Sequence, residues 1–219
     1  MTSEKRRGRP PASESPASVD AILAASLRVF AERGFDGTSI AAVNRELGVS
    51  HNLIHQRFGS KEDLWFATVD WAFGLVERGL ADINPAPDTD LLGATRSTIV
   101  RFLELHAEHP EILRLVTVEG AVPSARLTYL WEAHIGPSIM RVLSPLKVLV
   151  DAGVLTEANI RSLHFLVAHG ATAPFSLVPL AEQMAPEDPR STAAVREHAE
   201  FVADLVVAGL KARGADRSG

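Results

Sequence analysis

Apolar residues recur three and four apart along almost the whole chain. Val19, Ile22, Leu23, Val29 and Phe30 follow that spacing and predict a first helix, started by Ser15 with Pro16 or else by Ser18 and ended at Gly34. Thr38 is placed to cap a short second helix through about Leu47, with Ile40, Val43 and Leu47 on one face and Gly48 as its stop. Ser50 caps a third helix, residues 51 to 58. Ser60 and Asp63 form an Asp variant of the capping box, opening a fourth that reaches about Ile83 before "NPAPDTD" breaks it. Further helices are expected near 90 to 108, 111 to 119, 123 to 150, 157 to 180 and 192 to 213. Pro137, Pro145 and Pro174 lie inside these spans and predict kinks or early ends. With no strand alternation and no internal repeat, the expectation is an all-α protein of about nine helices.

The stretch "GVSHNLIHQRFGSKEDL" at 48 to 64 does not read as a core helix. With 100° per residue, Ile54 and Phe58 define its inner face, and Asn52 and Gln56 stand opposite them. Such a crest needs a partner outside the fold. A helix from Thr38, a tight Gly48-Val49-Ser50 turn and a second short helix make a helix-turn-helix layout, whose second helix enters the major groove of DNA. Asn and Gln can bond adenine bidentately, discriminating by roughly 1–3 kcal/mol. His51, Leu53, His55 and Arg57 flank them. Thr38, Ser50 and Lys61 sit at helix starts, where free amides and hydroxyls can hold phosphates. The pair His51 and His55 has no third metal ligand nearby and no Glu after His51, so a metal site is not expected.

Residues 22 to 69, "ILAASLRVFAERGFDGTSIAAVNRELGVSHNLIHQRFGSKEDLWFATV", resemble the DNA-binding domain of the TetR family of bacterial transcriptional repressors. The likeness includes the aromatic after Gly34, the run Thr38-Ser39-Ile40, the Gly48-Val49-Ser50 turn, and Phe58 ahead of Ser60-Lys61-Glu62-Asp63-Leu64. It implies an all-helical homodimer in which three N-terminal helices bind double-stranded operator DNA and the rest form a ligand pocket and a dimer interface. Three positions depart from the family pattern. His55 replaces a customary phosphate-binding tyrosine, Arg57 stands where a histidine or tyrosine is frequent, and Asn44 replaces a small residue.

Charge adds an asymmetry. Residues 1 to 66 hold 9 Lys and Arg against 8 Asp and Glu, whereas the remainder holds 13 against 19. The acidic body argues against a uniformly basic coat and leaves local cations to meet a polyanion. Residues 1 to 17 read as a flexible basic arm. Its Arg7-Gly8-Arg9-Pro10 resembles a minor-groove-binding AT-hook core, which leaves three roles open: insertion of Arg7 and Arg9, general phosphate attraction, or a solubilising tail. No apolar run approaches a membrane span, the N-terminus lacks a secretory pattern, and there are no cysteines. The expectation is a cytoplasmic protein without a disulfide, a thiolate metal site or a cysteine nucleophile.

The resulting plan has an arm (1–17), a helix-turn-helix domain (18–66), an effector-binding and dimerisation domain (67–213) and a disordered tail (214–219). Trp71, Phe73, Phe102, His106, Trp131, Phe165 and His169 are candidates to line a pocket for a small, mostly apolar effector, although such aromatics also serve as ordinary core. The faces formed by Ile160, Leu163, Val167 and Ala171, and by Val195, Phe201, Val202, Leu205 and Val206, are too apolar for an outer surface. The family resemblance assigns them to dimerisation, and packing within one chain is the alternative. The expected function is a repressor released from a pseudo-palindromic operator by its effector, with no cofactor. Two alternatives stay open. One is a ligand-independent DNA binder. The other is an enzyme built on the C-terminal bundle, against which stand the absence of a nucleophile elbow, a phosphate-cradling loop and a metal set.

Overall fold

The computed structural model describes residues 18–48, 53–81, 90–143 and 146–215, and among these there is no strand. Helix α1 (Val19–Arg33) starts at Ser18, whose hydroxyl oxygen accepts from the Ala21 N–H at 3.1 Å. Its C-cap, Gly34, has φ +67°. Helix α2 (Ile40–Leu47) is capped by Ser39 and not by Thr38: Ser39 Oγ accepts from the Ala42 N–H at 3.2 Å. Thr38 turns inward instead and donates to Gly34 O at 2.7 Å. Gly48 ends α2 in the left-handed conformation, φ +65° and ψ +24°, which a Cβ would disfavour.

Helix α3 (Leu53–Phe58) follows, and its expected start at 51 and its Ser50 cap lie outside the described residues. Helix α4 (Lys61–Ala81) opens on the expected box. Ser60 Oγ accepts from the Asp63 N–H at 3.0 Å, and the Asp63 carboxylate accepts from the Ser60 N–H at 3.2 Å. Helices α5 (Leu91–Glu108) and α6 (Pro110–Glu119) are close to expectation. Pro110 sits in the first turn of α6, where a missing N–H is harmless.

The two long helices expected over 123–150 and 157–180 are each broken. The first becomes α7 (Ala125–Tyr129), a π-helical turn (Leu130–Ile135), α8 (Gly136–Leu143) and α9 (Lys147–Asp151). The widened turn falls directly before Pro137, which has no N–H to donate, and the Gly136 N–H reaches back to Trp131 O. The second becomes α10 (Glu157–Phe165), a π-helical turn (Leu166–Gly170), α11 (Ala173–Ser176) and α12 (Val178–Met184), with Pro174 and Pro179 in the first turns of the last two. Helix α13 (Thr192–Ala215) is unbroken.

Two cores hold these helices. Ile22, Phe30, Val43, Ile54, Leu64 and Trp65 fill the N-terminal head, and the same cluster continues through Phe73 and Val76 of α4 into Ile112, Leu115 and Val116 of α6. Helix α4 runs unbroken across residues 66 and 67, so the head and body share one core there. The second core joins α5 to α13, where fully buried Ala199 and Ala203 let the helices approach around Leu103. Arg96 to Asp204 at 2.6 Å and Arg196 to Glu104 at 3.3 Å bridge the rim of that pair. These pairs are exposed and screened by solvent, so the apolar contact dominates. No single described helix is long and apolar enough to cross a membrane.

Candidate functional site

On α3 a single fully buried side chain, Ile54, fixes the helix to the head. Burying an Ile of this kind is worth about 1.5–3 kcal/mol. Leu53 and Phe58 lean half-buried against the same core, and His55, Gln56 and Arg57 are exposed. The outward crest expected from the sequence is therefore present over the described part of the helix. Ser50, His51 and Asn52, like Arg7 and Arg9 of the arm, lie outside the described residues.

Two other residues assigned to DNA have internal roles. Thr38 is 4% exposed and its hydroxyl proton is used on Gly34 O, which removes it from a phosphate-contacting surface. Lys61 Nζ donates to Phe35 O at 3.0 Å and to Thr38 O at 3.1 Å, and lies 4.1 Å from the centre of the Phe35 ring. The ammonium thus staples the start of α4 to the loop between α1 and α2. One of its three protons is left for any outside partner.

A contact the sequence did not disclose completes this arrangement. The Arg126 guanidinium, from α7, lies 4.0 Å from the same Phe35 ring, with Nε 3.0 Å from Glu119 Oε1. Glu119 is buried and also accepts from Ser124 Oγ at 2.6 Å. A cation on an aromatic face contributes about 0.5–2 kcal/mol, more as water is excluded. Phe35 was visible in the sequence as the aromatic after Gly34, but no local spacing links it to a residue so distant along the chain.

The body contains a cavity of about 110 Å³ lined mainly by apolar side chains of α4, α5, α6, α8 and α10, and a second, larger recess of about 420 Å³ adjoins it. Phe73, Phe102, His106 and His169, four of the seven pocket candidates, line the first. Trp71, Trp131 and Phe165 do not. Trp71 donates from Nε1 to Asp20 Oδ1 at 3.0 Å, tying α4 to α1, while Trp131 and Phe165 are more than half exposed. Leu163 and Val167, assigned from the sequence to dimerisation, face the cavity, and His164 is a lining residue that was not among the sequence candidates.

His106 is 3% exposed and its Nδ1 lies 2.7 Å from Phe102 O. A carbonyl only accepts, so Nδ1 carries the proton. Burial pushes the His106 pKa down to about 4, with smaller contributions from neighbouring His109 and His169. Burial lowers His164 and His169 as well. Among the described residues no three metal-ligating side chains converge.

The remaining interface candidates divide by exposure. Ala171, Val195 and Val206 are buried within the chain, and Ile160 and Val202 pack half-buried against the same core. These five therefore pack, fully or in part, against the core of their own chain. Phe201 and Leu205, one turn apart on α13, are 62% and 58% exposed, as are Phe165 and Leu166, each 57%, at the junction of α10 and its π-helical turn.

A three-helix head that presents a short polar helix, on a larger helical body with an interior cavity, defines a helix-turn-helix transcriptional regulator. The family model for bacterial regulatory proteins of the tetR family matches residues 22–68, and that for the tetracyclin repressor-like C-terminal domain matches residues 93–206. The chain belongs to the TetR family. It is 30% identical over 141 residues to the HTH-type transcriptional repressor SCO4008 of Streptomyces coelicolor, covering 63% of this chain and 67% of that protein. Identity to the HTH-type transcriptional regulator HbdR of Aromatoleum sp. is 42% over 48 residues, covering 22% of this chain and 21% of that one. Among solved structures, the hemolysin II transcriptional regulator HlyIIR superposes with a TM-score of 0.56 at 25% identity, over 74% of this chain and 92% of its own. The regulator PfmR from Thermus thermophilus superposes with a TM-score of 0.57 at 20% identity, over 88% and 96%, and so supports the fold.

The neutral, buried His106 predicts a pH dependence. An unfolded chain takes up the His106 proton near pH 6.5 and the folded chain only near pH 4. The stability is therefore complete above about pH 6.5 and declines as pH falls toward 4, by up to about 3 kcal/mol. Carboxylates titrate in the lower part of that window, so the measurement is the difference in urea-unfolding free energy between the native chain and His106→Gln from pH 7 to 4. The expected difference shrinks with falling pH, and a constant difference contradicts the assignment.

Proposed function

We propose that the protein is a homodimeric repressor that reads a pseudo-palindromic operator through α3 and leaves it when an effector occupies the body cavity. The observation that carries this reading is the exposed crest of His55, Gln56 and Arg57 on a helix held from behind by Ile54. Gln56, with Asn52 from the sequence, would read base edges, while His55, Arg57 and the last Lys61 proton would meet phosphates. Two such helices in a dimer would sit about one DNA turn apart, roughly 34–36 Å.

Dimerisation is supported by the apolar side chains Phe165, Leu166, Phe201 and Leu205, which are more than half exposed among the described residues. Release by an effector is supported by the cavity walls. Phe73, Val76, Ile112 and Val116 line the cavity and also belong to the head core. An occupant that displaces them changes the angle at which each head is held. Switching operator occupancy from nearly full to nearly empty needs about a 10⁴-fold preference of the effector for the released state. The repressor role follows the name of the Streptomyces relative. The regulator reading requires no reaction.

Gln56→Ala is expected to reduce discrimination among selected operator sequences by about tenfold, within the roughly 1–3 kcal/mol of a bidentate base contact, while leaving binding to scrambled duplex nearly unchanged. Equal losses on both duplexes, read by fluorescence anisotropy, would remove the base-reading role. Leu205→Asp is expected to yield a folded monomer in sedimentation and to abolish specific binding; a dimer that persists places the interface elsewhere.

A further inference from the structure

The histidines of the cavity constrain the chemistry of its occupant. His106 donates from Nδ1 to Phe102 O, one turn back on α5, so its Nε2 carries a lone pair and no proton. That nitrogen has no hydrogen-bond partner among the described residues, and His106 lines both the inner cavity and the adjoining recess. His169 is constrained in the same sense. Thr117 spends its hydroxyl proton on Leu113 O at 2.8 Å, so at 3.2 Å from His169 Nδ1 its oxygen can only accept. His169 Nδ1 is therefore the donor, and its Nε2 is left as an acceptor too. Both residues lie where the two spaces meet.

We infer that the cavity takes an uncharged, largely apolar molecule that presents an O–H or N–H to Nε2 of His106, and that it rejects carboxylates of the same skeleton. This rests on the reading of the cavity as the effector site and names the class of effector. The size is set by the inner chamber of about 110 Å³. An engineered apolar cavity of about 150 Å³ holds benzene; the inner chamber is smaller, so a short alkyl group fits within it and a single ring extends into the adjoining recess of about 420 Å³. The lining of the inner chamber, including Phe73, Ile99, Phe102 and Leu163, holds no Lys, Arg, Asp or Glu, and the cation Arg114 lines only the recess. A carboxylate brings only lone pairs to a nitrogen that is itself a lone pair, so it enters the apolar chamber desolvated and without a donor at that nitrogen, which is penalised.

The test is isothermal calorimetry on the full chain at pH 7 with p-cresol, p-xylene and p-toluate, three molecules of similar shape that present a donor, a methyl group and a carboxylate. p-Cresol is expected to bind about three- to tenfold more tightly than p-xylene, the effect of one net hydrogen bond, and p-toluate not at all. In His106→Phe the advantage of p-cresol disappears while p-xylene still binds. Histidine ¹⁵N spectroscopy on the unaltered protein gives an answer independent of that variant's folding: the His106 Nε2 resonance is expected to be that of an unprotonated nitrogen and to move when p-cresol is added. Binding of p-toluate as tight as p-cresol, a p-cresol advantage that survives in His106→Phe, a protonated Nε2, or no binding by any of the three overturns the inference. Operator release is followed separately by anisotropy. p-Cresol bound without release sinks the effector reading and leaves the chemistry intact, whereas release by p-toluate does the reverse.

Discussion

The apolar wall shared by the head and the body governs the rest of the structure. Phe73 and Val76 of α4 and Ile112 and Val116 of α6 belong to the core that orients the head, and they also face the interior cavity. Cores of this kind are packed as densely as organic crystals, so a displaced side chain pushes on its neighbours and is not absorbed. Burial of each such residue is worth about 1.5–3 kcal/mol, a sizeable fraction of the roughly 5–15 kcal/mol that keeps a domain folded. A perturbation inside the cavity would therefore act on the same atoms that hold α1.

A polar tie runs beside the apolar one. Phe35, in the loop between α1 and α2, is faced by Lys61 from the start of α4 and by Arg126 from α7, and Arg126 is held by the buried Glu119 at the end of α6. The loop that carries α2 is therefore gripped by both halves of the molecule. Removing the Arg126 partner would leave Glu119 buried with an uncompensated charge, the more costly way to break such a pair. The two ties share α6, at its Ile112 and Val116 face and at its Glu119 end.

The head was legible in the sequence because its signals are local. Ser18, the Ser60–Asp63 box, Gly34 and Gly48 act within one helical turn, and the crest of α3 follows from helical periodicity around Ile54. Thr38 and Ser39 show the limit. Two adjacent hydroxyls are equivalent as cap candidates until the fold turns one of them toward Gly34 O. The body was less legible for the same reason. The π-helical turns at Leu130–Ile135 and Leu166–Gly170 insert a residue into the register that no local spacing announces, although Ile160, Leu163, Val167 and Ala171 still share one core. Buried Val195 and Val206 and exposed Phe201 and Leu205 are equally apolar on paper. Only packing against α5 separates them.

The most direct measurement uses the absence of cysteine from the chain. A Glu32→Cys variant, at an exposed site on α1, would carry one spin label per protomer of the proposed dimer, and pulsed electron–electron distance measurement would read the separation of the two heads. Adding Val116→Phe fills the shared wall from the cavity side. A wall that couples cavity to head predicts that the separation changes by several ångströms, together with a loss of operator affinity in a protein that remains folded and dimeric. An unchanged separation and unchanged affinity with the wall filled would contradict that coupling.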